Sequence, residues 1–112
     1  MMAYRLNRQL VLESPERIAD GAGGYVHNWI ALGTVWAKMI ASTGREAAGV
    51  AAPLSRVAYK IIVRGAPTGS DARPKADQRF REGDRLYRIL SVAEDDADGR
   101  FLMCRALEEI VA

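Results

Sequence analysis

The stretch from Asp20 to Glu46 constrains this chain more than any other. Asp20-Gly21-Ala22-Gly23-Gly24 reads as a turn, because glycines enter positive φ at no steric cost. It feeds Tyr25 to Ile40, a β-rich run of Tyr, Val, Trp and Ile residues. That run is long for one strand, and Gly33 stands where a bulge or bend would split it. Val35, Ala37 and Met39 alternate with Thr34, Trp36 and Lys38, the period of a strand at a sheet surface. From Ser42 the character changes to small residues, beginning Gly44-Arg45-Glu46. A wall-like strand therefore runs straight into a segment that is not wall.

That segment, Thr43 to Arg56, is rich in alanine, which favours helix, but Gly49 and Pro53 limit any helix to a turn or two. It reads as a loop with a short helical piece. The remaining chain is punctuated as strands. Leu6 to Glu13 is extended, with Leu6, Leu10 and Leu12 on one face, and Pro15 breaks it. Val57 to Arg64 places Val57, Tyr59, Ile61 and Val63 on one face and Lys60 and Arg64 on the other. Gly65 to Ala76 is a Gly/Pro/Ser loop, mobile unless a partner orders it. Asp77 to Arg81, Leu86 to Ala93 and Phe101 to Leu107 read as strands, separated by turns at Glu82-Gly83-Asp84 and Glu94 to Gly99. Short strands at this spacing predict a mainly β fold, a small barrel or sandwich with a long inserted loop containing a short helix.

The chain's 112 residues suit one domain, 1–112, large enough to fold without disulfides. Sixteen basic residues against 14 acidic ones leave a net charge of +2, too little to argue for nucleic-acid binding on bulk charge. A single cysteine and a single histidine exclude an internal disulfide and a Cys/His zinc cluster. The N-terminal residues lack the apolar core of a signal peptide, and no apolar stretch reaches the ~18 residues of a helical membrane span. A cytoplasmic protein, or part of something assembled in a cytoplasm, is the expectation.

Motifs for chemistry fail one by one. Glu94 to Gly99 resembles the start of a calcium loop, but the position that needs a bidentate glutamate is Arg105. Gly44 to Gly49 has the gap of a phosphate loop, but Val50-Ala51 follows where lysine and a hydroxyl are required. His27 has no nucleophile partner at a telling spacing, and Cys104, among Phe101, Leu102, Met103 and Leu107, reads as a buried inert thiol. Trp29 and Trp36 read as core, or as a subunit contact. Arginines between Arg73 and Arg88 are dense but interleaved with Asp71, Asp77, Glu82 and Asp84, so a mixed-charge surface is expected rather than a DNA-binding stripe. No catalytic residue, cofactor or metal ligand is predicted.

The order of these pieces resembles the phage head–tail joining family, the small head-closure, stopper or adaptor proteins of long-tailed phages and phage-derived gene transfer particles. The resemblance is carried by Leu6 and Arg8, the Asp20/Gly23/Gly24 turn, Trp29, Val35-Trp36-Ala37, and Gly44 with Glu46. It continues through Ile61, Val63 and Arg64, then Gly83-Asp84 before Tyr87 and Ile89, and the last strand with Cys104. It implies a non-enzymatic subunit of a homo-oligomeric ring, six- or twelve-fold, at the neck of a particle assembled in the bacterial cytoplasm. The portal and adaptor proteins would lie above it, and a tail terminator or tail tube protein below. The ring would close the DNA-filled head, receive the tail and touch DNA in the channel. Ser42, Thr43, Gly44, Arg45, Glu46, Gly49 and Pro53 are the candidate channel loop, since small residues let several copies crowd an axis. Trp36, Arg64, Gly69, Asp71, Arg73 and Lys75 are the candidate subunit or partner contacts, and Gly65 to Ala76 is the competing channel loop. The family usually continues with an aromatic residue where this chain breaks at Gly65-Ala66-Pro67. The alternatives are a tail-completion or terminator protein and a small nucleic-acid-binding β-barrel.

Overall fold

The structure is a computed structural model that describes residues 4–42 and 57–109. Among these residues every element is a strand: β1 Arg8–Ala19, β2 Tyr25–Ala41, β3 Ala58–Arg64, β4 Arg79–Glu82, β5 Arg85–Glu94 and β6 Phe101–Glu109. All neighbours are antiparallel, in the order β1-β2-β3-β6-β5-β4, and β4 returns to pair with β1. The sheet is thus a closed barrel, a mainly β fold as the sequence predicts. The short helix expected within 43–56 lies outside the described residues.

Closure follows from the period-2 pattern. Leu10 and Leu12, Ile61 and Val63, Tyr87 and Ile89, and Leu102, Cys104 and Ala106 point inward with Phe80 and form one core. Val57 departs from the face assigned to it: it precedes β3 and is exposed, while Tyr59 packs against the core and meets Tyr87 edge-on at 5.3 Å. Ile62 points outward yet is buried, on the side where Tyr4 stacks edge-on against Phe101 at 5.1 Å. The segment before β1 is therefore a cover, and Leu6 precedes the strand it was expected to open.

Two further expectations are corrected by the pairing. Pro15 does not end β1, which continues to Ala19 with Pro15 opposite Trp29. Beyond Glu13 the strand pairs with β2 alone, and a proline without an N–H is tolerated on such an edge. Nor does Gly33 split β2. The register shifts there, Leu12 facing Gly33 and Glu13 facing Ala31, and Gly33 takes φ +153°. The strand bulges and continues.

Beyond this bulge the β1–β2 ribbon leaves the barrel as an arm. β2 meets β3 only over Ala37 to Ala41, so among the described residues Tyr25 to Ala31 has a strand partner on one side only. Asp20 ties the tip: its Oδ1 accepts from the backbone N–H groups of Ala22 (2.8 Å) and Gly24 (3.0 Å). Those bonds explain the Asp-x-x-Gly-Gly spacing.

Candidate assembly surfaces

Strand direction sorts the loops between the two barrel ends. β2 finishes and β3 begins at one end, where the Ser42 N–H donates to the Ala58 carbonyl at 2.8 Å. The Glu108 N–H donates to the Val57 carbonyl at 2.9 Å beside it. These bonds fix both roots of the 43–56 segment. Of the predicted channel loop only Ser42 is described; Thr43, Gly44, Arg45, Glu46, Gly49 and Pro53 lie outside the described residues.

Charge concentrates at this end. Arg8 makes a two-pronged ion pair with Glu82, and Arg85 pairs with Glu108 at 2.9 Å and donates to the Tyr59 hydroxyl at 3.1 Å. The hydrogen bond from Arg8 holds the Glu82 carboxyl below its usual range. Beneath the network the Tyr87 hydroxyl is buried with no hydrogen-bond partner among the described residues, and burial pushes its pKa up to about 12.

The opposite end carries the arm, the Glu94–Gly99 turn and the Gly65–Ala76 loop. The two channel-loop candidates therefore emerge from opposite ends of the barrel. The loop expected to be mobile is internally bonded: Arg73 donates to the Ala66 carbonyl (3.0 Å), Ser70 N–H to Pro67 (3.0 Å), and Arg73 N–H to Ser70 (3.1 Å). Pro74 is fully buried, and Gln78 accepts from the Lys75 N–H at 2.9 Å. The break after Arg64 has a steric cause. The Gly65 N–H donates to the Arg100 carbonyl at 2.7 Å, and a Cβ on Gly65 would meet the Gly99 carbonyl oxygen at 2.0 Å. No aromatic residue fits there.

Here the predicted contact residues separate into two groups. Because Ala37 faces Val63, Trp36 and Arg64 come side by side. Both are exposed, Trp36 by 53%, and both line a cavity of about 240 Å³ with Val35, Ala66 and Ala72. Asp71 borders an adjoining cavity against Leu32 and Val35, whereas Arg73 lines a separate, polar one with Glu94 and Asp98. Gly69 and Lys75 line neither of the two apolar cavities.

Of the arginines between 73 and 88, Arg79 and Arg88 gather against Trp29, and Arg79, Arg81, Arg85 and Arg88 are ion-paired. Arg79 lies 4.0 Å over the Trp29 ring and pairs with Glu13 at 2.7 Å; Arg81 reaches the other Glu13 oxygen at 2.9 Å. Arg88 pairs with Asp77 and Glu109. Glu13 is only 6% exposed. Burial raises its pKa, the hydrogen bonds from Arg81 and Arg79 lower it, and the net position is below the usual carboxylate range. Sequence reasoning missed Glu13, since nothing local marks it; only the β1–β4 register brings Arg79 opposite it.

The residues considered for chemistry have plain surroundings. Cys104 is fully buried, and desolvation pushes its thiol up to about 12, so it stays protonated at neutral pH. His27 is exposed on the arm opposite Arg17. Among the described residues no three His, Cys, Asp or Glu side chains are grouped to hold a metal ion.

Known proteins give this arrangement a context. A chain from the virion of a native gene transfer agent particle is 53% identical, with 98% of this chain and 100% of that chain covered and a TM-score of 0.81. Protein SF1141 from Shigella flexneri 2a, 20% identical with a TM-score of 0.68 over 96% of each chain, shares the fold. No curated protein sequence matches. The phage head completion protein description matches residues 1–109, and the chain belongs to that family.

Proposed function

We propose that this protein is a ring-forming subunit of a phage-like neck, seated between the portal or adaptor and the tail. It closes the filled head and offers the surface to which the tail attaches. A structural role in the phage head and neck follows from the family. The ring, the gate and the tail contact are this reading's own content. The observation that carries them is that Ser42 and Val57, which flank residues 43–56, stand at one end of the closed barrel, and the arm with the Trp36–Arg64 groove at the other. A rigid wall with one end free to reach an axis and another free to grip neighbours is what a gated ring requires.

In this reading residues 42–56 enter the channel, and Trp36, Arg64, Gly69, Asp71, Arg73 and Lys75 face neighbouring subunits or the adaptor. Partners are other proteins of the particle; the ion-paired arginines argue against a free DNA-binding barrel. Deleting Thr43 to Pro53 should leave a folded barrel, because the roots at Ser42 and Val57 are bonded to the strands. Particles built with the deletion should lose packaged DNA. Particles that keep it would remove the gate from this account. Mixing the protein with filled tailless heads and with bare tails tests the location: binding to tails alone would favour a terminator.

A further inference from the structure

The arm has a face that no described residue covers. Cross-strand partners Ile18 and Val26, Glu16 and Asn28, and Ser14 and Ile30 share one side of the ribbon. This side continues the row of Leu10 and Leu12, so it is the barrel's core-facing surface carried beyond the barrel. Ile18, Val26 and Ile30 are 43%, 51% and 42% exposed. A lone two-stranded ribbon is marginal in water, and a face with three exposed aliphatic side chains and open edges is a surface for a partner.

The groove at the arm's root has complementary chemistry. Its cavity is smaller than the ~300–1,000 Å³ of small-molecule pockets and suits a few aliphatic side chains. Among the described residues Arg64 is the one charged residue lining it, and Glu16 is the one charged residue on the arm's bare face. Both are exposed, and neither makes an ion pair among the described residues. The arm reaches roughly 20 Å past the barrel at ~3.3 Å per residue, so it does not fold back on its own root. Groove and arm stand on one strand, displaced along it. A contact that joins one copy's arm to the next copy's groove is head-to-tail, the kind that closes into rings.

We propose that the bare face of the arm seats in the Trp36–Arg64 groove of a second copy of this chain, with Glu16 against Arg64. This rests on the ring reading above. The test uses assembled particles carrying the double variant Val26→Cys, Ala66→Cys. Within one copy these positions lie too far apart for a disulfide, which spans at most ~7 Å between Cα atoms. Mild oxidation should give a ladder of covalent multimers. Monomer bands from particles whose necks still show a ring would overturn the arm contact and leave the ring standing. A cross-link to a different particle protein would also overturn it, by naming another occupant. Necks without a ring would remove both readings. An independent arm uses Glu16→Arg and Arg64→Glu. Each alone should lower incorporation into particles about tenfold, and together they should restore it, since like charges meet in the singles and opposite charges in the double. Singles without effect, or a double that compounds them, would contradict the pairing.

Discussion

Glu13 decides more than its place in the sequence suggests. It is buried, it is charged, and it is held by two arginines from a strand more than sixty residues away. Arg79 in turn lies against Trp29, so a carboxylate, a cation and an indole form one layer over β1, β2 and β4. Replacing Glu13 by Gln leaves the half-buried Arg79 without its counter-charge. This should cost about 2 kcal/mol, or roughly 10 °C in Tm for a domain of this size. The pH dependence has a definite sign. Glu13 has a folded-state pKa below its unfolded one, so its stabilisation is full above the unfolded value, near pH 4, and is lost as pH falls through the folded value. Thermal melts from pH 7 to pH 3 should show a steeper loss below about pH 4 in the wild type than in Glu13→Gln. Parallel curves would show that the carboxylate does not carry this linkage.

At the scale of elements, the barrel ends are set by close backbone approaches as much as by side chains. Gly65 ends β3 by passing within reach of the Gly99 carbonyl, which joins the 65–76 loop to the β5–β6 turn. Gly65→Ala should therefore force this backbone apart and cost roughly 2 kcal/mol or more, visible as a lowered denaturant midpoint. An unchanged midpoint would mean the turn can move aside. The strands themselves are legible in the sequence, because Leu10/Leu12, Ile61/Val63 and Leu102/Cys104/Ala106 repeat at the period that an inward face demands. The arm is not legible. Pro15 carries the local mark of a break, and only the pairing of β1 with β2 makes it an edge residue; Gly33 marks the expected bulge, but only the pairing shows the strand running on through it. In the same way Trp36 and Arg64 each look like contact residues alone. Their adjacency depends on the β2–β3 register, which no local pattern encodes.

For the whole molecule, the proposed tasks divide along one axis. The closed barrel encloses one core. The segment rooted at Ser42 and Val57 leaves one end; the arm and its groove occupy the other. Membership of the phage head completion protein family gives the chain a structural role in the phage head and neck. The most direct test is an electron-microscopy map of the neck of particles that contain this protein. The account predicts a ring of identical barrels between portal and tail, with the Ser42/Val57 end of each turned toward the channel axis. Barrels located away from the neck, or a ring with this end turned to its outer rim, would contradict it.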